Sequence, residues 1–289
     1  MIVVFGSINI DLIVPVAHLP VPGETVLGGD YTIAPGGKGA NQALAARRAG
    51  SEVIMIGAVG RDTFAGAALS LLRRDGVDLS LVAASDRPTG CASIMVDPKG
   101  ENLIAVASGA NFDVVADQAP SQLLGPQTTL VLQREVSIAE NAIVITRARE
   151  RGPRIVMCLA PAGPIAPAQL EDIDIMIANE GEAAILGSDA ARRLRQALVV
   201  TRGAAGAVAY LADGSQIAVP TLPIIAVDTT GAGDTFAGVL AAGLDQGLEL
   251  ADALRRASAA AALACLAVGA QPAMPDRAAI DTAVARLSG

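Results

Sequence analysis

Short apolar runs alternate with helix-like stretches along most of the chain, and this alternation restricts the possible folds more than any other feature. Runs that each end in a polar or glycine-rich turn occupy residues 2–5, 53–56, 130–132, 155–159, 173–178 and 198–201. Strands that alternate with helices build a parallel sheet with right-handed crossovers. We therefore predict an α/β fold in which a doubly wound, mainly parallel sheet is flanked by helices. One of these helices is predicted at residues 64–74 because its pattern is amphipathic.

Two segments, residues 12–35 and 89–111, interrupt this pattern with short apolar pieces separated by prolines and glycines. In the second segment, Asp97-Pro98-Lys99-Gly100 lies between two alternating runs and is typical of a hairpin turn. We predict that the two segments form a small separate β-sheet. Such a sheet can act as a lid over a cleft. Both segments are inserted in one domain that spans residues 1–289.

The composition of the chain argues against several classes of partner and site. The net charge is -8 and the basic residues are scattered, which argues against a nucleic-acid partner. No apolar run is long enough to cross a bilayer, so no membrane partner is expected. The three cysteines lie far apart and read as reduced thiols, and residues 1–5 lack the features of a signal peptide, so we expect a cytoplasmic protein. With His18 as the single histidine, a zinc site is not expected.

Residues 227–236 read V-D-T-T-G-A-G-D-T-F and have the features of an anion-transferring site. Gly231, Ala232 and Gly233 leave backbone N–H groups free to converge on a negative oxygen, and an apolar helix is predicted to begin directly after them. A carboxylate beside a bound phosphate would repel it, so Asp234 indicates proton abstraction instead. The spacing alone leaves open the alternative that Asp234 caps the helix and the glycines only turn the chain.

Two further groups of polar residues follow predicted strands. Asn9 and Asp11 are two residues apart, so an extended chain directs both to one side, where they could bind a polyhydroxylated ligand or form an Asx turn. Residues 34–43 read A-P-G-G-K-G-A-N-Q-A, in which Gly37 allows close backbone approach while Lys38 and Asn41 supply donors at a helix start. This segment lacks the frame of a Walker P-loop. In doubly wound sheets ligands bind beyond the carboxyl ends of the strands.

The motifs together resemble the ribokinase family of carbohydrate and nucleoside kinases. The likeness covers essentially the whole chain and rests on G-S-I-N-I-D, P-G-G-K-G-A-N, N-E-G-E, D-T-T-G-A-G-D-T-F and G-A-Q-P. The glycine-rich motif around Asp234 is the most specific of these. The segment P-G-G-K-G-A-N-Q-A favours the ribokinase branch over fructokinase-like and adenosine kinase-like members.

The resemblance implies a ribokinase-like fold and an ATP-dependent sugar kinase that phosphorylates the exocyclic hydroxyl of ribose. Asp234 would be the base, and the amides of Ala232, Gly233 and Asp234, in the loop that begins at Gly231, would form the anion hole. The implied sugar-binding residues are Asn9, Asp11, Gly37, Lys38, Asn41 and Glu135. The implied residues for the nucleotide and its Mg²⁺ are Asn179, Glu182, Thr201, Gly203, Gly206 and Ser258.

The resemblance also implies a K⁺ site beside the anion hole. Its matching residues are Asp228, Thr230, Ala264, Ala267 and Gly269. The chain departs from the family pattern at Ala273, where a serine is common, at Cys158, where relatives often have Asn, and at Ser258, where Asn or His is usual near the adenine.

Two alternatives remain at this point. One is the same chemistry on another acceptor, such as deoxyribose, a nucleoside, another sugar or a sugar phosphate. The other is a catalytically silent sugar-binding protein on the same fold, which an intact Asp234 argues against. The predicted lid carries apolar residues such as Ile104 and Val106 on exposed strands, so we expect a homodimer formed through the lid.

Overall fold

A nine-stranded sheet lies at the centre of the computed structural model, which describes residues 1–187 and 189–287. The strands are β1 Ile2–Phe5, β2 Asn9–Pro15, β3 Thr32–Gly36, β4 Val53–Gly60, β5 Asp78–Ser85, β6 Gly90–Val96, β7 Asn102–Ala107, β8 Thr129–Leu132, β9 Arg154–Cys158, β10 Ile175–Asn179, β11 Ala197–Thr201, β12 Ala207–Leu211 and β13 Gln216–Val219. The α-helices are α1 Lys38–Arg48, α2 Thr63–Ala68, α3 Ser70–Arg74, α4 Ile138–Arg149, α5 Pro167–Leu170, α6 Glu180–Leu186, α7 Ala190–Arg193, α8 Ala232–Asp245, α9 Leu250–Ala264 and α10 Arg277–Leu287.

The large sheet has the order β13-β12-β11-β10-β9-β8-β1-β4-β5. Every neighbouring pair from β5 to β11 is parallel, whereas β12 and β13 add an antiparallel edge. The predicted α/β fold with a mainly parallel sheet is therefore confirmed. The β12–β13 hairpin was not predicted from the sequence, whose last predicted strand is β11. The turn of this hairpin, at Asp213-Gly214, is closed by a hydrogen bond from the Gly214 N–H to the Leu211 carbonyl.

Both faces of the sheet are covered, which explains why its strands are continuous apolar runs. Ile2 and Val4 of β1 belong to the core beneath α1, α8 and α9, while Val3 and Phe5 belong to the core beneath α4. Alternate residues of one strand thus serve opposite layers. The helices on the two faces hold the carboxyl ends of the parallel strands in one row.

A separate four-stranded sheet, the lid, has the order β3-β2-β6-β7. Its outer pairs are antiparallel and its central pair, β2–β6, is parallel. The hairpin predicted at Asp97-Pro98-Lys99-Gly100 joins β6 to β7. The first lid strand begins at Asn9, three residues before the predicted boundary, so Asn9 and Asp11 lie in a strand and not in an Asx turn.

The prediction of one continuous helix at residues 64–74 is wrong in one respect. The structure has two helices there, α2 and α3. They meet at Leu69, whose ψ of -3° interrupts the α-helical ladder. The Asp62 carboxylate starts α2 by accepting hydrogen bonds from the Phe64 and Ala65 amides. Within residues 1–187 and 189–287, no helix is both long enough and apolar enough to span a membrane.

Candidate active site

Gly231 fixes the start of α8. It adopts a left-handed φ of 74°, and a Cβ placed on it would lie 2.9 Å from the Ala270 Cα, so only glycine fits without strain. The Ala232 N–H donates to the Thr229 carbonyl at 3.2 Å. Among the described residues, the amides of Gly233 and Asp234 have no acceptor. Two of the three amides predicted for an anion hole are therefore free at the positive end of a 14-residue helix.

The Asp234 carboxylate is 7% exposed and each of its oxygens accepts one side-chain hydrogen bond. The Asn41 Nδ2–H donates to Oδ2 at 2.9 Å, and the Gln42 Nε2–H donates to Oδ1 at 2.9 Å. Both donors come from the first turns of α1, which packs against α8. Asn41 was predicted to bind the sugar. Gln42 lies in the same motif, residues 34–43, but no role was predicted for it. The Asn41 Oδ1 is buried and has no partner in the described part of the chain.

Glu135 organises the region between β1 and α1. Its Oε2 accepts hydrogen bonds from the Ser7 hydroxyl at 2.6 Å and from the Lys38 N–H at 3.0 Å. The Ser7 Oγ in turn accepts from the Gly39 N–H at 3.2 Å. Ser7 was not predicted, because a serine in a turn has no sequence signature that identifies a partner 128 residues away. The predicted Glu135 thus lies beside the predicted Lys38.

Charged groups crowd this side of the site. Burial raises the pKa of Asp11 to about 6, and the nearby carboxylates of Glu135 and Asp234 act in the same direction. The Asp234 charge raises the pKa of Lys38 well above its usual range, although burial opposes the shift. Lys38 therefore stays protonated, while Asp11 changes charge close to neutral pH. The sequence could not predict this difference, because it depends on which charges the fold brings together.

Asn9 is held inside the protein. It is 2% exposed, and its Oδ1 accepts from the Asn111 Nδ2–H at 2.6 Å. Asn111 in turn accepts from the Ile8 N–H at 2.9 Å. Two glycines pack closely against Asn9. A Cβ on Gly90 would lie 2.2 Å from the Asn9 Oδ1, and a Cβ on Gly37 would lie 2.6 Å from the Asn9 backbone nitrogen. Among the described residues the Asn9 Nδ2 has no acceptor, so it can donate to a ligand, and Asn111 is a supporting residue that was not predicted from the sequence.

Asn179 and Glu182 form a capping box at the start of α6. The Glu182 carboxylate accepts from the Asn179 N–H at 2.9 Å, and the Asn179 Oδ1 accepts from the Glu182 N–H at 2.8 Å. One carboxylate oxygen of Glu182 remains for other partners. The pair lines a cavity of about 170 Å³ together with Lys38, Cys158, Ala160, Ile177, Ala178, Thr201, Gly231, Gly233 and Asp234. Burial raises the pKa of the Cys158 thiol to about 12, so this thiol stays protonated.

Asn179 and Glu182 suit a Mg²⁺ ion that is bound to phosphates and keeps several water ligands. Glu182 supplies a carboxylate oxygen, the type of ligand that Mg²⁺ prefers. Among the described residues, no group of three or more His, Cys, Asp or Glu side chains is arranged to hold a metal ion. A dedicated protein cage is therefore not part of the described site.

A second cavity of about 610 Å³ adjoins the first at Thr201 and Gly233, which line both. Gly203, Gly206 and Ser258 also line it, so all four residues predicted to border the nucleotide meet here. Its other lining residues are Ala204, Thr221, Leu222, Pro223, Ile224, Ala226, Thr229, Ala232, Phe236, Ala261, Ala262 and Cys265. The volume lies within the range of small-molecule sites, about 300 to 1,000 Å³.

Asp228 joins the glycine loop to the segment after α9. Its Oδ1 accepts from the Thr230 hydroxyl and N–H, and its Oδ2 accepts from the Gly269 N–H at 2.8 Å. Burial opposes ionisation of Asp228, but these hydrogen bonds outweigh it and hold its pKa below the usual value. The structure thus brings three of the predicted cation-site residues together around one negative charge. The other two, Ala264 and Ala267, lie at the end of α9 and just beyond it.

A buried carboxylate at a helix N-terminus, between a polar pocket and a cavity of this size, defines a group-transfer enzyme. The model of the pfkB family carbohydrate kinases matches residues 1–277. The chain belongs to this family and is a carbohydrate kinase, which confirms the resemblance seen in its motifs.

Individual relatives agree with the family. Ribokinase from Bacillus subtilis is 35% identical over 283 residues, which cover 96% of each protein. Deoxyribokinase from Salmonella typhi is 31% identical over 293 residues, which cover 95% of each. The solved structure of Arabidopsis thaliana ribokinase complexed with ribose and ATP is 28% identical and matches with a TM-score of 0.86 over 98% of each chain. The ribokinase-like fold with its small lid sheet is thereby confirmed.

Proposed function

We propose that the protein transfers the γ-phosphoryl group of ATP to the exocyclic hydroxyl of ribose, forming ribose 5-phosphate and ADP. One observation carries the proposal. Asp234 lies in the small cavity, next to the two free amides at the start of α8, and this cavity opens at Gly233 into the larger one. An acceptor hydroxyl bound against Asp234 would then lie next to a phosphate that enters from the larger cavity.

The reaction follows from these positions. A free lone pair of the Asp234 carboxylate takes the hydroxyl proton, the sugar oxygen bonds to the γ-phosphorus, and the bond to the ADP oxygen breaks. The Gly233 and Asp234 amides stabilise the negative charge on the transferred group. Mg²⁺ bound with the nucleotide would neutralise phosphate charge, and Glu182 and Asn179 are the residues suited to hold its water shell.

The acceptor would bind between the lid and the large sheet. Asp11 and the Asn9 Nδ2 donor provide a charged acceptor and a donor for sugar hydroxyls. Lys38 and Glu135 complete this set. Such a mixture suits a polyol, because each hydroxyl needs both a donor and an acceptor.

Deoxyribose is the main alternative acceptor, since a deoxyribokinase is among the relatives. A nucleoside or another sugar would use the same chemistry. A sugar phosphate is disfavoured, because the only lysine or arginine candidates for its phosphate are Lys99 in the second lid segment and Arg87 just before it. A silent sugar-binding protein would not need a base held on both oxygens.

The experiment that tests the proposal measures ADP release from Mg-ATP across a panel of acceptors in potassium buffer. The panel contains ribose, deoxyribose, fructose, ketodeoxygluconate, fructose 6-phosphate, adenosine and pseudouridine. We expect a strong and selective ribose signal. Selective turnover of another acceptor would move the specificity but keep Asp234 as base. Silence with every acceptor, while ATP still binds, would contradict the proposal.

We also propose that K⁺ activates the enzyme through Asp228 and nearby backbone carbonyls. The ionised Asp228 and its link to Gly269 support this site. The alanine at position 273, where relatives often have serine, removes one hydroxyl ligand. Initial rates should be higher in potassium than in a large organic cation at matched ionic strength. Equal rates would contradict a K⁺ site.

A homodimer formed through the lid is a further proposal. Ile33, Leu103, Ile104 and Val106 lie on its edge strands β3 and β7 and are 43% to 51% exposed. Pairing of two lids would cover these apolar side chains and the open strand edges. Sedimentation at micromolar concentration should give twice the mass of the chain, and a monomer would contradict the proposal.

A cytoplasmic location remains a prediction from composition.

A further inference from the structure

The side chain of Gln42 is completely buried, yet it is polar. Its Nε2–H donates to Asp234 Oδ1, while its Oε1 has no hydrogen-bond partner in the part of the chain that the structure describes. A buried amide with one unsatisfied end is unfavourable compared with an apolar side chain of similar size. Packing therefore gives no reason for an amide here, whereas a donor directed at Asp234 does.

Close contact between α1 and α8 holds Gln42 in place. Gly238 lies one turn beyond Asp234 on α8, on the same face of the helix. A Cβ on Gly238 would lie 2.4 Å from the Gln42 carbonyl oxygen and 2.7 Å from the Ala45 Cβ. The two helices thus meet with backbone against backbone at this point. Because this contact cannot relax, the position of Gln42 relative to Asp234 is rigidly defined.

We propose that Gln42 is a positioning residue for the base. With Asn41 on Oδ2 and Gln42 on Oδ1, the carboxylate plane of Asp234 is fixed and its free lone pairs remain for the acceptor hydroxyl. The inference rests on the proposed function, since that function makes Asp234 the base.

Two substitutions separate this role from a purely structural one. Gln42→Met keeps the length of the side chain and removes the donor. We expect kcat to fall about 10- to 100-fold with KM values within about 3-fold, because misorientation of a catalytic group affects the reacting state more than binding.

Gln42→Glu tests the same contact with a side chain that can lose its donor proton. The introduced carboxyl can donate to Asp234 only while it is protonated, and once it ionises the two negative charges repel. Loss of kcat should therefore be greatest at high pH. The other charged or titratable groups near Asp234 are the same in both variants. They are Lys38 of α1, Asp11 of β2, Glu135 after β8, Cys158 of β9 and Glu182 of α6.

Gln246→Met is the matched control. Gln246 joins the other ends of the same two helices, since its Nε2 donates to the Ala49 carbonyl at 3.2 Å and the Ser51 hydroxyl at 3.3 Å. Its substitution should leave kcat and the pH profile unchanged. Stability of each variant is compared by thermal unfolding.

The outcomes are distinct. A loss of kcat in Gln42→Met that exceeds any loss of stability, and a loss in Gln42→Glu that grows as the pH rises, support the proposal when the profile of Gln246→Met is unchanged. Unchanged kcat in Gln42→Met overturns it, as does a loss of kcat that follows the loss of stability. If Gln42→Met does not fold, the trend in Gln42→Glu alone decides. Absence of turnover in the unsubstituted protein would instead contradict the proposed function, and this inference with it.

Discussion

The acceptor pocket and the 610 Å³ cavity differ in how they carry charge. Four ionisable side chains act on one another in the acceptor pocket: Asp11, Lys38, Glu135 and Asp234. The larger cavity has no charged side chain among its described lining residues. Its polar side chains are hydroxyls of threonine and serine, and the Ser258 hydroxyl already donates to the Pro220 carbonyl.

This difference indicates two modes of recognition. A polyol is distinguished from similar molecules by buried hydrogen-bonding groups, because a missing hydroxyl leaves such groups unpaired. A nucleotide can instead be held by shape, with its phosphate charge met by backbone amides and by the metal ion that accompanies it. The acceptor pocket should therefore be sensitive to changes of charge, and the nucleotide cavity to changes of volume.

The largest effect is expected for Asp234→Asn. A positioned base contributes about 10²- to 10⁴-fold to the rate, so kcat should fall by that factor while acceptor binding survives. Turnover and calorimetric binding of the acceptor check this. Asp252→Asn on α9 is the control, because that carboxylate is exposed and pairs only with Arg255 among the described residues. Full activity in Asp234→Asn would remove the acceptor pocket's role in the chemistry.

Gly233→Ala tests the boundary between the two regions. A Cβ on Gly233 meets no atom within 4 Å, and helical Gly→Ala changes stabilise by about 0.5 to 1 kcal/mol, so the melting temperature should rise. The added methyl group would occupy the opening where the two cavities join, and we expect kcat/KM for ATP to fall about 10- to 100-fold.

Gly66→Ala is the matched control for this change. Gly66 is exposed in α2, and its Cβ would also meet nothing within 4 Å. The two variants should gain similar stability, but only Gly233→Ala should lose activity. Unimpaired activity in Gly233→Ala would mean that the transferred phosphate does not pass this residue.

Asp11→Asn tests the effect of the crowded charges on stability. Because the folded-state pKa of Asp11 is raised to about 6, its ionisation destabilises the folded protein above that pH, and this effect disappears as the pH falls toward 4. The substitution should therefore raise the free energy of unfolding by about 1 to 3 kcal/mol at pH 7.5 and by much less at pH 4.5. The KM for the acceptor should rise about 10-fold, since a charged hydrogen-bond acceptor is lost.

Urea unfolding at both pH values measures the stability change. Asp62→Asn should have the opposite sign at pH 7.5, because the Asp62 carboxylate caps α2 and accepts two hydrogen bonds from Thr89. Loss of stability in Asp11→Asn at pH 7.5 would mean that the Asp11 charge is well paired, contrary to the comparison.

The smallest effect is expected for Ser258→Ala. Its hydroxyl is committed to the Pro220 carbonyl, so the KM for ATP should change by less than about 3-fold, with a loss of stability of about 1 kcal/mol. Initial-rate kinetics and urea unfolding measure the two quantities. A tenfold rise in KM would show that the nucleotide cavity also recognises its ligand through polar side chains.

The sequence by itself determined the fold class, the lid and the residue that we propose as the base. Each of these depends on residues that are close together in the chain. Alternating runs define strands and helices, and Gly231 lies three residues before Asp234 at the start of α8, where local backbone preferences decide the conformation. The sequence therefore predicted α8 and the residues at its N-terminus.

Only the tertiary structure decided how the base is held and how the pocket is charged. Gln42 and Asp234 are 192 residues apart, and Asn9 and Asn111 are 102 apart. Their contacts depend on the order of strands in the sheet and on the close crossing of α1 and α8, to which many distant residues contribute. The raised pKa of Asp11 has the same origin, since burial and neighbouring charges exist only after the chain has folded. Local patterns specify elements, whereas the environment of a side chain is a property of the packed whole.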